Sequence, residues 1–183
     1  IRDRMRWGEA GAEHAGLVDA EGTLRDLSST VADWSWQTLT PETLERVAAY
    51  DTEALPALPA DTRLGAPVYR PGKIVGCALT YGKHAAEAGL EPPEEPMFML
   101  TAASAINGPN DPVIMPKGGT QLDWEAELAV VFCKAGANIP VENAMSHVAG
   151  FCVGNDLSER VFQLERGTQW TKGKSADTLK PLG

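Results

Sequence analysis

Short apolar runs separated by turn-forming residues recur along the chain, and this pattern predicts a strand-rich fold with few helices. Near the N-terminus, residues 16–19 and 22–27 have the composition of two short strands joined by a turn at residues 19–22. We expect residues 73–79 to form a short buried strand and residues 124–133 to form a strand that enters a core. Further apolar runs of strand length lie at residues 97–106, 112–115 and 148–153.

Two segments carry the signals of short helices. The first begins after Thr40, which can cap a helix, and has Pro41 at its first position. The residues that would share its apolar face are Leu44, Val47 and Ala48. The second spans residues 158–166, with Ser158 as its cap and Gly167 beyond its end. Because most of the predicted elements are strands and few are helices, we expect a β-rich, mixed α/β fold.

Composition and charge exclude several classes of protein. The chain has 183 residues, 43% hydrophobic and 22% charged, which is ordinary for a globular protein. Its 16 Lys and Arg against 25 Asp and Glu give a net charge of -9, which argues against nucleic-acid and membrane-surface partners. We expect no transmembrane helix, because no apolar run reaches about 20 residues. Three scattered cysteines favour reduced, buried thiols and a cytoplasmic location.

The composition also changes along the chain, which suggests two domains. We expect a small N-terminal domain at residues 5–66, with the proline-rich residues 56–59 as a linker at its end. The second zone, residues 71–183, carries most of the strand candidates and all of the chemically notable motifs.

Two glutamates alternate at the start of a predicted strand. Glu125 and Glu127 are separated by one residue, so they would point to the same face of the strand. A divalent cation would relieve the repulsion between their charges. The alternative is that they form the exposed polar end of an amphipathic strand.

A second polar group follows the apolar strand at residues 148–153. Asp156 lies between this strand and the predicted helix, where it could either contribute to a site or simply cap the helix. Arg160 and Gln163 are three residues apart and would share a helix face. A guanidinium there could bind a substrate carboxylate through two hydrogen bonds.

Three further residues could carry out chemistry. If their segment is helical, His84 and Glu87 are neighbours, and a carboxylate beside an imidazole supports general-base catalysis. The alternative is a surface pair. Lys174, between Gly173 and Ser175, could stabilise a developing oxyanion, although lysines in turns are usually solvated.

The order of these motifs is more informative than any one of them. His-x-x-Glu, Asp-x-Glu-x-Glu-Leu, Asn-Asp-x-Ser-x-Arg and Gly-Lys-Ser occur in that order, and together they resemble the fumarylacetoacetate hydrolase family over residues 71–183. Residues 158–175 look most like the members that hydrolyse 2,4-diketo-3-deoxy sugar acids, some of which are named ureidoglycolate lyase. The resemblance implies a β-roll with short flanking helices, preceded by a small N-terminal domain.

The resemblance also implies a set of site residues. It assigns a divalent cation, Mg2+ or Mn2+ with Ca2+ as a further candidate, to three carboxylates: Glu125, Glu127 and Asp156. It assigns the activation of water to His84 and Glu87, and the stabilisation of the reacting oxygen to Lys174. It assigns substrate binding to Tyr81, Arg160 and Gln163.

The activity implied is hydrolysis of a C–C bond in a 2,4-dioxo acid, an acylpyruvate or a diketo-deoxy sugar acid, to give pyruvate and a second acid. A decarboxylase or keto–enol isomerase of a 2-oxo acid is the alternative, and a protein that only binds a metal or ligand is a third hypothesis. Thr80 and Thr101 stand where the family usually has Asn and Lys, which bears on the substrate. Family members are commonly homodimers, and we expect the catalytic domain to continue beyond Gly183.

Overall fold

The computed structural model describes residues 3–87, 89–167 and 169–183, and within them the fold is mixed α/β and rich in strands. The strands are β1 Asp3–Trp7, β2 His14–Val18, β3 Leu24–Asp26, β4 Leu64–Gly65, β5 Ile74–Ala78, β6 Met97–Thr101, β7 Ile106–Asn107, β8 Leu122–Asp123, β9 Ala126–Phe132, β10 Val148–Asn155, β11 Ser158–Glu159 and β12 Lys180–Pro181. The α-helices are α1 Pro41–Ala48, α2 Gly82–Glu87 and α3 Thr171–Lys174. Segments of 3-10 helix cover Ala103–Ala105 and Val141–His147, and a π-helical turn covers Val161–Glu165. None of the helices in the described ranges is long and apolar enough to span a membrane.

The first sheet has four strands in the order β3-β2-β1-β4. The predicted hairpin is confirmed, because β2 pairs antiparallel with β3 and Leu17 lies opposite Arg25. Asp19 stabilises the turn between them, accepting hydrogen bonds from the Thr23 backbone N–H and from the Arg25 guanidinium.

A hydrophobic core lies against this sheet and is built around Trp34, whose indole N–H donates to the Gly16 carbonyl oxygen. Helix α1 begins as predicted, with the Thr40 side chain accepting from the Thr43 N–H. Its Val47 is buried in the core, whereas Ala48 is exposed, so the prediction for Ala48 was wrong. Ala48 is the last residue of α1, so no further turn of the helix covers it.

Strands β9 and β10 form an antiparallel ribbon whose two faces have different surroundings. On one face Val131, Cys133 and Ala149 pack against the core around Trp34. On the other face Leu128 is 61% exposed and Val153 is 66% exposed. The prediction that residues 124–133 enter a core is therefore right for one face only, because alternate side chains of a strand point in opposite directions.

Several local predictions were wrong. No strand forms at residues 112–115, which the structure describes in full, and the Ile114 N–H donates instead to the Thr178 hydroxyl. Residues 56–59 are not a free linker, since the Leu58 N–H donates to the Leu24 carbonyl oxygen and extends the edge of β3.

The predicted strand at residues 73–79 is present as β5, which pairs with β6, but its Val75 is 51% exposed rather than buried. The three cysteines are free thiols, as expected, and partly rather than fully buried: Cys77, Cys133 and Cys152.

Two arginines connect the N-terminal sheet to the later strands. The Arg4 guanidinium donates to the Ala149 carbonyl oxygen at 2.6 Å. Arg63 donates two hydrogen bonds to the Asp111 carboxylate, at 2.8 and 2.5 Å, and a third to Glu13 at 3.1 Å. The division of the chain into domains at residues 5–66 and 71–183 stays a prediction.

We predict that Asp111→Asn lowers the free energy of unfolding by about 1 kcal/mol at neutral pH, because it removes a two-bond ion pair. The Arg63 guanidinium holds the pKa of Asp111 below its ordinary value. The stabilisation is therefore complete above the ordinary carboxyl pKa of about 3.9 and is lost as the pH falls through the folded-state pKa. Urea unfolding should show a smaller difference between wild type and variant near pH 3 than at pH 7.

The matched control is Asp61→Asn, which removes an exposed carboxylate near the same arginine. It should change the unfolding free energy by less than about 0.5 kcal/mol. An effect as large as that of Asp111→Asn would contradict the assignment of the stabilisation to the ion pair.

Candidate active site

Three carboxylates meet where β9 begins and β10 ends. Glu125 precedes β9, Glu127 lies within it, and Asp156 directly follows β10. One oxygen from each of the three lies within 4.8 Å of the others. The structure therefore brings together the three residues that the sequence singled out as metal ligands.

The register of the ribbon produces this arrangement. Glu127 lies opposite Gly154, and Ala126 lies opposite Asn155. One step further, the Asp156 N–H donates to the Glu125 carbonyl oxygen at 2.9 Å, and the Asn155 side chain accepts from the Glu125 N–H. Asp156 is thus held beside Glu125 by backbone pairing, and the alternative in which it only caps a helix is wrong.

Lys174 places a buried ammonium among these carboxylates. Its Nζ donates to Asp156 Oδ2 at 2.6 Å, to Ser158 Oγ at 2.7 Å and to Glu125 Oε2 at 3.2 Å. Its side chain is only 2% exposed, so it is not the solvated turn lysine of the alternative interpretation.

A close contact of the backbone fixes Lys174 in this position. A Cβ added at Gly173 would lie 2.6 Å from the Gln163 Cβ and 2.8 Å from the Glu159 carbonyl oxygen. Only glycine therefore allows α3 to approach the π-helical turn and β11 so closely, and this approach carries the next residue, Lys174, into the cluster.

A second buried lysine, Lys180, is part of the cluster and was not predicted from the sequence. Its Nζ lies 2.9 Å from Asp156 Oδ1 and donates to the carbonyl oxygens of Leu157 and Leu179. The available signal was a lysine within the otherwise apolar residues 179–182, a setting in which a charge needs a buried partner.

Burial and the repulsion between close carboxylates both make the charges of this cluster costly. Two unit charges 4.8 Å apart repel by roughly 3 kcal/mol at an effective dielectric constant of about 20. Burial, together with the negative charges of Asp156 and Glu125, raises the pKa of Glu127 to about 7. Burial also raises the pKa of Asp156, but Lys174 and Lys180 outweigh this effect and leave that pKa below its ordinary value.

The residues present fit a divalent cation. The donors are carboxylate oxygens, the ligands that Mg2+ and Mn2+ prefer. Asp156 Oδ1 is buried and receives no hydrogen bond from the described residues, since Lys180 lies within ion-pair distance but is not aligned to donate. A cation would also relieve the repulsion that raises the pKa of Glu127.

Arg160 and Gln163 lie side by side, as the spacing suggested, but not on the predicted helix. Residues 158–159 form strand β11, and the turn after Arg160 is π-helical. Ser158 is not a helix cap, because its hydroxyl donates to the Asp156 carbonyl oxygen. The Arg160 guanidinium donates to Gln163 at 2.9 Å, to Glu125 at 2.6 Å and to Asp123 at 2.7 Å.

Asp123 and Glu159 also support the site and were not singled out by the sequence. Arg160, through its hydrogen bonds and its charge, holds the pKa of Asp123 below its ordinary value. Glu159 is fully buried and accepts from the backbone N–H groups of Gln121 and Val161, which fixes the antiparallel pairing of β11 with β8.

Tyr81, His84 and Glu87 lie on the exposed segment around α2. The Tyr81 hydroxyl accepts from the Leu128 N–H at 2.8 Å, which joins the start of this helix to β9 beside Glu127. His84 and Glu87 are three residues apart on α2, but no hydrogen bond joins them in the described part of the chain. The water-activating pair therefore stays a prediction.

Comparison with known proteins identifies the family. Residues 73–183 match the model of the fumarylacetoacetate hydrolase C-terminal domain, which is more than half of the chain. The chain belongs to the fumarylacetoacetate hydrolase family. Every residue of the carboxylate cluster, and both buried lysines, lie within the matched region.

Relatives of this family cover almost the whole chain. A Burkholderia ambifaria protein, named as a hydrolase without a stated substrate, is 45% identical over 98% of this chain and 64% of its own length. The fumarylacetoacetate hydrolase of Exiguobacterium antarcticum has a TM-score of 0.74 and 28% identity, covering 100% of this chain and 65% of that one.

A 5-carboxymethyl-2-hydroxymuconate delta-isomerase from Mycobacterium smegmatis has a TM-score of 0.73 and 26% identity, covering 100% of this chain and 64% of that one. The chain thus spans about two thirds of the length of the relatives it matches. Its strand-rich fold is that of the fumarylacetoacetate hydrolase family.

We predict that Gly173→Ala lowers the melting temperature by roughly 3–8 °C, because the added methyl group collides with backbone atoms that cannot move aside. Gly72→Ala is the control, since a Cβ there meets nothing within 4 Å. Thermal unfolding followed by circular dichroism measures both variants. Equal melting temperatures for the two would contradict the packing argument.

Proposed function

We propose that this family member is a divalent-metal-dependent hydrolase of a 2,4-dioxo acid. Its substrate would be an acylpyruvate or a 2,4-diketo-3-deoxy sugar acid, cleaved at a C–C bond to pyruvate and a second acid. The observation that carries the proposal is the convergence of Glu125, Glu127 and Asp156 beside the ammonium of Lys174. Three oxygen ligands leave positions on an octahedral cation open for a chelating substrate.

The three carboxylates would hold Mg2+ or Mn2+, with Ca2+ a further candidate. When bound, the cation would supply Lewis acidity toward the carboxylate and keto oxygens of a 2-oxo acid. Lys174 would donate a hydrogen bond to the substrate oxygen on which negative charge develops, because its ammonium is already held at the cluster.

The chain's other residues would bind the substrate and activate water. His84 would accept a proton from a water molecule whose oxygen attacks the distal carbonyl carbon, and Glu87 would orient the imidazole. The bond from that carbon to C3 would then break, and the imidazolium would return the proton to C3 to give pyruvate. Tyr81 and Gln163 would border the substrate. The Arg160 guanidinium, which donates to Asp123 in the structure, would instead donate hydrogen bonds to a carboxylate of the substrate.

A keto–enol isomerase is the second candidate, and the named activity of the Mycobacterium smegmatis neighbour favours it. It would use the same carboxylates without a water nucleophile. The homodimer and the cytoplasmic location stay predictions, as does a small-molecule substrate as the main partner.

We predict that activity requires the metal and the carboxylate cluster. Thorough chelation should abolish release of pyruvate from a panel of acylpyruvates and diketo-deoxy sugar acids, and Mg2+ or Mn2+ should restore it. Glu127→Gln should lower kcat/KM by roughly 100-fold or more, because it removes a charged ligand. The control is Glu142→Gln at an exposed carboxylate outside the cluster. Full activity in chelator, or in Glu127→Gln, would refute the proposal.

We predict that His84→Ala separates the two candidate reactions. It should reduce hydrolysis by roughly 100-fold to 10,000-fold, because general-base catalysis contributes about that much. Lys83→Ala, on the same exposed helix, is the control. Product analysis in a coupled pyruvate assay distinguishes the reactions. Keto–enol conversion without pyruvate, unchanged in His84→Ala, would favour the isomerase.

A further inference from the structure

Lys180 places a second buried positive charge on a carboxylate that Lys174 already neutralises. Lys174 contacts Asp156 Oδ2 and also Glu125, so it bridges two of the carboxylates. Lys180 contacts Asp156 Oδ1 and makes no ion pair with another acid in the described residues. Both oxygens of this one carboxylate therefore face an ammonium.

The surroundings of Lys180 hold it firmly in place. The residue is only 6% exposed, and its Nζ donates to the Leu157 and Leu179 carbonyl oxygens at 2.9 and 3.1 Å. The Nζ also lies 2.9 Å from Asp156 Oδ1, within ion-pair distance. Strand β12 anchors the backbone through parallel pairing with β7. Lys180 therefore cannot swing away without losing all of these partners.

A built-in cation has a clear use in such a cluster. Three carboxylates held within 4.8 Å of one another repel, and the fold must tolerate this repulsion whenever no metal is bound. Lys174 serves two carboxylates and, under the proposed function, a reacting oxygen as well. Lys180 forms its ion pair with Asp156 alone within the described residues, so it is not shared with a second carboxylate.

We propose that Lys180 is an internal counter-ion that stabilises the carboxylate cluster in the absence of metal, and so lets the protein fold before the cation binds. The inference rests on the proposed metal-dependent function for its biological use. Lys180 is a positioning residue and has no part in the chemical step. Since the lysine and the metal both neutralise the same carboxylates, losing the lysine should make stability depend more strongly on metal.

The test is thermal unfolding of purified full-length protein in EDTA and in saturating Mg2+ or Mn2+. In EDTA, Lys180→Met should lower the melting temperature by roughly 5–10 °C, because it leaves a buried carboxylate with one counter-charge fewer. In Mg2+ at least half of this loss should be recovered. Lys73→Met, which removes an exposed lysine charge, should stay within about 2 °C of wild type in both conditions.

A merely structural role for Lys180, through its two carbonyl contacts, predicts a different result. The loss in melting temperature would then be equal in EDTA and in Mg2+, and this outcome would overturn the proposal. A smaller metal-induced shift in Lys180→Met than in wild type would overturn it too. Recovery of the wild-type melting temperature in EDTA by Lys180→Arg supports the role of the charge.

A double variant tests the same idea without metal, including the case in which Lys180→Met does not fold. In an Asp156→Asn background there is no carboxylate for Lys180 to neutralise, so adding Lys180→Met in EDTA should cost little further stability. An undiminished cost would overturn the proposal. If no divalent cation stabilises even the wild type, the proposed metal-dependent function fails, and this comparison in EDTA still decides the role of Lys180.

Discussion

The antiparallel register of β9 and β10 is the constraint on which the site depends. Because Glu127 lies opposite Gly154, the chain beyond the ribbon places Asp156 directly beside Glu125. A shift of one residue would turn Glu127 to the face that now carries Leu128 and would separate the three carboxylates. The packing of Val131 on the core around Trp34 opposes such a shift, so the hydrophobic core and the polar site specify the same alignment.

Charge balance is the second condition, and the chain meets it with residues from β11 onward. The carboxylates at the start of β9 repel, and the ammonium groups of Lys174 and Lys180 reduce that repulsion from within the fold. Arg160 adds a third cation at the more exposed side, where it also binds Asp123. Glu125 and Asp156 each form ion pairs with these cations, whereas Glu127 forms none within the described residues and has a raised pKa.

The sequence predicted both strands of the ribbon and, from a period of two, the shared face of Glu125 and Glu127, whereas Asp156 joined them only through the family resemblance. Glu125 and Glu127 share a face of one strand, and Asp156 ends the next. It did not predict Lys180, because no local pattern shows which distant carboxylate a lysine will meet. The sequence prediction of a helix over residues 158–166 was wrong for two reasons. A π-helical turn, like an α-helix, brings Arg160 beside Gln163. The Glu159 carboxylate accepts a hydrogen bond from the distant Gln121 N–H, and no local sequence pattern shows this contact.

The core around Trp34 also has a consequence for the order in which the protein forms. Its seven fully buried members all come from residues 15–47, whereas Val131, Cys133 and Ala149 only pack against it from outside. If residues 5–66 form a domain, as the sequence predicts, this segment emerges first during synthesis on the ribosome and can fold as a unit. The strands that carry the carboxylates follow this segment in the chain. On that division, they would pack their apolar face on a core that is already formed.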